Sequence, residues 1–593
     1  MVVVIGVYIR TVKRRTRTSE VSYVQLAHNE WDAAKKRSTP KVVHSFGRAD
    51  EVDEAGLRRL VASLQRYLGD TDDTGTNGAS MPEPVDSRPA GGAFLLDGVW
   101  KQLGLDRVIT GAGQKARGRK RDLDATERIL FALVANRALA PSSKLAAADW
   151  MNHDVAIPGL TDTVGAVDED ACYRVMDWLT DTGESLERAV YEQVADLLNL
   201  EVDLLFFDTT STYFETEDAD QPVWRDETGH PIADTSTGDV SQGAGPAGAV
   251  QQTPFRTYGK SKDHRGDLPQ VVIGLAVTRD AIPVRVWCWP GNTADSALIC
   301  QVRTDMRDWS LSRIIYTADR GFTSKANRRE LMRGGDGYIL GEKLRSNSAE
   351  AAAALSRPGK YRTVKDNLKV KEVTIDRTTG TADRFIVCFN PEQAHRDAHT
   401  RQALVARLEE MIAGSDTLTA GKRGELKGKI STMPGLNRFL RSTKTGLLRI
   451  DKDTIKQETN LDGKYLLRTS DPHMSAEDVA LGYKQLLEVE RGWKDMKSTL
   501  DLRPVYHRLE YRIRAHVSLC WLALLLIRII ENTTDQTWND VRRQVQRLHQ
   551  VTLEGDEGTI TTITRPTQAQ TALFTQQGLP TPKQVQGLTP TRI

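Results

Sequence analysis

The sequence predicts an α/β fold assembled from several parts, and three observations carry that reading. Apolar, β-branched and aromatic runs of strand length recur at 204–213 (LLFFDTTSTY), 270–278 (QVVIGLAVT), 283–289 (PVRVWCW) and 313–322 (RIIYTADRGF). Helical stretches alternate with them, at about 123–200, 294–309 and 475–500. The chain has 593 residues, 39% hydrophobic and 27% charged, which is enough for more than one core.

Residues 1–68 contain three strand-like runs (VVVIGVYIR, EVSYVQLAH, KVVHSF), read as a β-meander, followed by a helix. The basic connections KRRTR (13–17) and KKR (35–37) are either solvated tips or phosphate contacts. Residues 69–122 read as a polar, Gly/Pro-rich linker that ends in KARGRKR, with Lys115, Arg117, Arg119, Lys120 and Arg121 as candidate DNA contacts. A helical block fills 123–200. Within 201–335 the order is strand, polar Gly-rich loop (217–257), hairpin, helix, strand. Residues 336–470 become strand-rich (VKEVTID, DRFIVCF, GLLRID, KYLLRT), with one charged helix at about 398–430. The segment 471–551 opens with a long helix from Ser475 to Leu500, and 552–593, rich in Thr, Gln and Pro, reads as a flexible tail.

Bulk chemistry narrows the setting. With 81 basic and 79 acidic side chains the net charge is +2, which neither requires nor excludes nucleic acid. Five cysteines without CxxC or zinc-type spacing suit a reducing cytoplasm. The opening MVVVIGVYIR has no basic stretch ahead of its apolar run, unlike a signal peptide. The apolar run Val517–Ile527 is shorter than the ~20 residues that span a bilayer, so it reads as a core helix and no membrane partner is expected.

Three carboxylates stand in unusual places. Alternation puts Leu204, Phe206, Asp208, Thr210 and Thr212 on one strand face, and Ile315, Thr317 and Asp319 on another. Taken alone, each aspartate reads equally well as a turn opener or as a functional group. In the helix 481–500, Glu490 lies three residues from Leu487 and from Trp493, inside an apolar stripe, and Tyr483, Glu490 and Lys497 are spaced seven apart along one edge. A buried carboxylate needs a positive partner. Three together suit hard divalent cations such as Mg²⁺, two of which ~4 Å apart serve phosphoryl transfer.

FDTTSTYF, YTADRGF and Tyr483-x6-Glu490-x6-Lys497 resemble the three motifs of DDE transposases of bacterial insertion sequences, in the branch with a β-rich insertion before the final glutamate. That resemblance implies an RNase H-like catalytic core in 201–335 and 471–551, interrupted by the insertion 336–470, which accounts for the long spacing of 490 − 319 = 171 from Asp319 to Glu490. It implies Asp208, Asp319 and Glu490 as catalytic metal ligands for two Mg²⁺ ions, with Mn²⁺ substituting. Tyr483, Lys497, Arg491 and Arg503 would contact DNA, and the N-terminal meander and the 123–200 block would bind transposon ends. The family pattern has an arginine where this chain has Leu486. The implied activity is cleavage of double-stranded DNA at the element's ends and strand transfer to target DNA, by a dimer or larger assembly in the bacterial cytoplasm at the nucleoid. Two rivals share these features: a structure-selective nuclease on the same core, and a DNA-binding regulator without catalysis. No tryptophan lies between Trp309 and Trp493 to hold a flipped base, so a hairpin pathway would need Tyr or Phe there.

Overall fold

The computed structural model of the protein describes residues 7–15, 20–32, 37–49, 52, 54–67, 82–115, 122–198, 204–226, 229–232, 250–307, 309, 314–345, 348–375, 383–503, 505–556 and 558–590. The chain divides into two compact units, one of 1–91, 546–568 and 581–593, the other of 92–545 and 569–580.

In the first unit Val7–Arg15, Glu20–Asp32 and Arg37–Arg48 pair antiparallel in sequence order, with Lys13, Arg14 and Arg15 inside the first strand and not in the connection expected at 13–17, and a helix follows at Glu54–Tyr67. The expected linker and tail are partly strands. Glu83–Pro89 pairs antiparallel with His549–Gly555, which continues through Gly558–Ile563 to Val585–Pro590. Two features misled the reading. Pro84 and Pro89 look like linker residues, but Glu83–Pro89 is an edge strand, where a missing N–H is tolerated. The threonines of the tail, read as polar and loose, alternate with isoleucine as GTITTI and supply a paired strand.

The second unit opens with helices Gly91–Gln102 and Leu105–Lys115, so the helical block begins earlier than 123. It continues through α1 (Leu123–Leu139) and α2 (Glu169–Leu198), the latter broken at Gly183 where φ is 35°. One nine-stranded mixed sheet then organises the rest. Its strands are β1 (Leu204–Tyr213), β2 (Gln270–Val277), β3 (Pro283–Pro290), β4 (Ile315–Ala318), β5 (Gly337–Glu342), β6 (Arg362–Lys365), β7 (Leu368–Ile375), β8 (Asp383–Phe389) and β9 (Lys464–Thr469). The spatial order is β6-β7-β8-β9-β5-β4-β1-β2-β3. β1, β2 and β3 are antiparallel neighbours, whereas β4 and β5 run parallel to β1. β5 to β9, all within 336–470, therefore extend this sheet, while Leu440–Ser442 and Leu448–Ile450 pair in a separate two-stranded sheet, and the stretch between β8 and β9 packs helices Pro391–Ile412 and Ala420–Ser431 around Leu408, Ile430, Leu436 and Phe439. The expected single helix at 398–430 is thus two.

Both faces of β1 are covered, which explains why its apolar residues do not alternate with polar ones. Leu205 and Phe207 join a core with Tyr191 of α2 and Ile299, Val302 and Met306 of α3 (Asp295–Arg307). The opposite face, which carries Leu204 and Asp208, receives α4 (Ala476–Lys484) and α5 (Leu486–Ser498). α6 (Glu510–Thr534) is long and apolar enough to cross a membrane, yet it is buried against α1, α2 and β3, as a core helix.

Candidate active site

Register brings the two aspartates together. β4 runs parallel to β1 with Ala318 opposite Phe207, so Asp319, the next residue, leaves the sheet beside Asp208. Parallel partners share a face, which puts Asp319 on the Asp208 side. There Tyr483 of α4 donates its hydroxyl to Asp319 Oδ1 at 3.1 Å. The approach is close because Gly341 on β5 has no side chain; a Cβ there would collide with the Tyr483 hydroxyl.

Asp208 is half-buried, and its carboxyl is pushed up to about 6. Burial is the main cause, and the carboxylates of Asp295 and Asp319 add to it, against the opposing pull of Lys262 and the Thr209 N–H. Lys262 Nζ stands 3.9 Å from Asp208 Oδ1 and 3.3 Å from Asp295 Oδ2, and the Thr209 hydroxyl donates to Asp295 Oδ1 at 2.7 Å. One ammonium thus faces a crowd of carboxylates that it cannot fully neutralise. The sequence reading missed Lys262 and Asp295. The signals available were the dense charge of GKSKDHRGD just before β2 and an acid in the first turn of α3.

The glutamate differs from its expected setting. The helix predicted from 475 to 500 is two helices joined at Gln485, and the break resets the phase of the buried face. That face is Leu486, Val489, Trp493, Met496 and Leu500, whereas Leu487 is 61% exposed. Glu490 is exposed and stands at the margin of the stripe, not inside it. α5 still lies on the Asp208 face: a Cβ on Gly492 would meet Leu275 at 3.1 Å, and Leu275 is the β2 partner of Asp208. Glu490 is also among the charges that push the Tyr483 hydroxyl up, after burial and Asp319. Among the described residues no group of three or more His, Cys, Asp and Glu side chains is gathered closely enough to hold a metal ion. Asp208 and Asp319 are the pair brought together.

The expected DNA contacts are distributed differently. Lys497 and Arg503 meet on one carboxylate oxygen, Asp263 Oδ1, at 2.8 and 2.7 Å. Arg491 points away, to Glu531 of α6 at 3.0 Å and to Glu488. Leu486, at the position of the family's arginine, is buried. Lys115 is the last residue of its helix, while Arg117, Arg119, Lys120 and Arg121 lie outside the described residues.

The family model described as Transposase DDE domain matches residues 226–526, a stretch that contains Asp319 and Glu490 and begins after Asp208. The chain belongs to the DDE transposases. The model of the N-terminal domain of IS1634 family transposases matches residues 9–75, so this transposase is that of an insertion sequence, an enzyme of DNA transposition. No curated protein matches the transposase chain. A cryo-EM structure of piggyBac transposase in a synaptic complex with hairpin DNA is similar to it with a TM-score of 0.34 and 11% identity, over 77% of this chain and 79% of that one.

Proposed function

We propose that Asp208, Asp319 and Glu490 are the catalytic carboxylates of this transposase, on an RNase H-like core, and that they hold two Mg²⁺ ions. The observation that carries the reading is the position of Asp208 and Asp319 side by side at parallel strands, where Asp295 adds a third carboxylate against the single ammonium of Lys262. The order of β1 to β5, three antiparallel strands followed by two parallel to β1, supports the RNase H-like description. The donor set fits a hard divalent cation, since it is all carboxylate oxygen. When bound, such cations supply activation of the attacking oxygen and stabilisation of the leaving one in phosphoryl transfer.

The chain's own residues do the rest. The Tyr483 hydroxyl fixes the Asp319 carboxylate by a hydrogen bond to one of its oxygens. Lys262 holds Asp208 and Asp295 in place by charge. Lys497 and Arg503, gathered by Asp263, form a cationic pair suited to a DNA phosphate. The reaction served is hydrolysis of a phosphodiester at each transposon end, freeing a 3′-OH that attacks target DNA. The helical block and the N-terminal basic segments bind the ends, and two ends are paired by at least a dimer.

The test is purified protein on a labelled duplex carrying the gene's own flanking ends, with Mg²⁺, EDTA and Glu490→Gln arms. Cleavage at the ends that needs metal and is lost in the variant is the expected result. Metal-dependent cleavage by Glu490→Gln at the wild-type rate would remove Glu490 from the set.

A further inference from the structure

The second unit contains a partly open cavity of about 320 Å³, with basic side chains in its wall, that the carboxylate site does not use. It lies where the end of α1, the turn after it and the segment 501–507 meet the start of α6. Arg137, Lys144 and His516 line it and are 3%, 3% and 4% exposed, joined by His507. At the rim are Asp501, which is exposed, and Tyr506, which is 75% exposed.

The cavity is rich in donors and short of anions. Arg137 donates from Nη2 to Asn136 Oδ1 at 3.1 Å and to the Ser142 carbonyl, but its Nε–H is buried with no partner. His516 is likewise buried, and the Leu502 backbone is the one hydrogen-bonding neighbour that acts on its ring, against the burial and the Lys144 and Arg137 charges that push its imidazolium down. Among the described residues neither Arg137 nor Lys144 has a carboxylate at ion-pair distance; the Asp501 carboxylate at the rim acts on Arg137 from further away, and the neighbours that act on Lys144 favourably are the thiols of Cys172 and Cys520. Burial and the adjacent Arg137 push the Lys144 ammonium down to about 7. Burial and the same two cations push His507 down to about 3, with Arg512 adding to it. A chain does not hold buried cations and an unpaired N–H group in one cavity without a counter-charge, because each is costly to desolvate alone. The complementary ligand is compact, multiply charged and made of acceptors only.

We propose that this cavity binds a phosphate with at most one ester bond, either inorganic phosphate or the terminal phosphate monoester of a nucleic-acid strand. Depth selects against the diester. The cations lie at the floor and are nearly inaccessible, so a terminal phosphate can reach them, whereas an internal phosphodiester is held off by the sugars on both sides. The nucleic-acid source rests on the DNA-cleaving reading above; the phosphate chemistry does not.

The experiment is calorimetric titration of the full chain with inorganic phosphate at constant ionic strength, without divalent metal. Wild type should take up one equivalent. Lys144→Met, which keeps the buried stem and removes the charge, should bind about 10- to 100-fold more weakly, the loss of one charge-assisted contact. His516→Phe, which keeps a buried ring, is the second variant should Lys144→Met fail to fold, and Asp208→Asn should bind as wild type does. Displacement of phosphate by a 5′-phosphorylated oligonucleotide but not by its 5′-hydroxyl twin identifies a strand end as the source. Displacement by neither identifies free phosphate, and both results support the site. No saturable binding by wild type, or equal affinity in wild type and the folded variants, would overturn it. Because cleavage is not the readout, loss of the transposase chemistry does not affect the outcome.

Discussion

Tyr483 reaches across from α4 to Asp319, 164 residues away in sequence, and donates the hydrogen bond that fixes that carboxylate. The tyrosine ring is stacked on Tyr465 of β9 and sits over Gly341, so it is positioned by packing before the hydroxyl acts. Tyr483→Phe should keep the packing and release Asp319. Cleavage of transposon ends should fall about tenfold while end binding is unchanged, in line with one lost bond to a charged group. Gly341→Ala should do the same by displacing the hydroxyl. Wild-type cleavage rates in both variants would remove Tyr483 from the positioning of Asp319.

Asp208 should make stability depend on pH in a direction opposite to most aspartates. Its folded carboxyl titrates at about 6, above the ordinary 3.8, so the folded state holds the proton more tightly than the unfolded chain does. The stability it confers is full below about pH 4 and is lost as pH rises through about 6. Asp208→Asn cannot lose that proton. In EDTA the variant should therefore melt higher than wild type at pH 7.5, and the difference should shrink to nothing near pH 4. Thermal melts across that range decide it, and a variant less stable than wild type at pH 7.5 would contradict the raised carboxyl.

Among the described residues Lys262 is the one cation at ion-pair distance of both Asp208 and Asp295, at 3.9 and 3.3 Å. Removing it leaves the carboxylates facing one another, which favours the protonated form of Asp208. Lys262→Met should shift the acidic limb of the pH–cleavage profile upward by about one pH unit. It should also lower the melting temperature at neutral pH, where the repulsion is greatest. An unshifted limb would mean that Lys262 neutralises Asp295 alone.

Legibility of the site followed a simple physical line. Asp208 and Asp319 stand out because strands buried on both faces are apolar, and although either charge alone could open a turn, the two together with Glu490 point to a shared site. Glu490 stands out by its spacing, but its exposure follows from the break at Gln485, which the sequence does not signal because Lys484, Gln485 and Leu486 include neither Pro nor Gly. Lys262, Asp263 and Asp295 come from a loop and a helix start, which carry no periodic pattern. That the strands of 336–470 join the catalytic sheet was likewise hidden. Their membership is decided by β9 pairing with both β5 and β8, contacts between residues far apart in sequence.

Asp263 gathers two cations on a single oxygen, and that arrangement sets stability against DNA affinity. Its side chain is 9% exposed, Lys497 is 13% and Arg503 33%, so the cluster is largely withdrawn from water. Removing the carboxylate leaves Lys497 buried without its partner, and burial already pushes the Lys497 ammonium down. Asp263→Asn should then cost about 2 kcal/mol, less than a fully buried pair because Arg503 can turn to solvent. The same change frees Arg503 for a DNA phosphate. The slope of log affinity against log salt for transposon ends should steepen by about one, the signature of one more phosphate contact. Urea denaturation reads the first effect and binding across a salt series the second. Unchanged stability would mean that solvent already satisfies the two cations, whereas lost stability with an unchanged slope would place Lys497 and Arg503 off the DNA path.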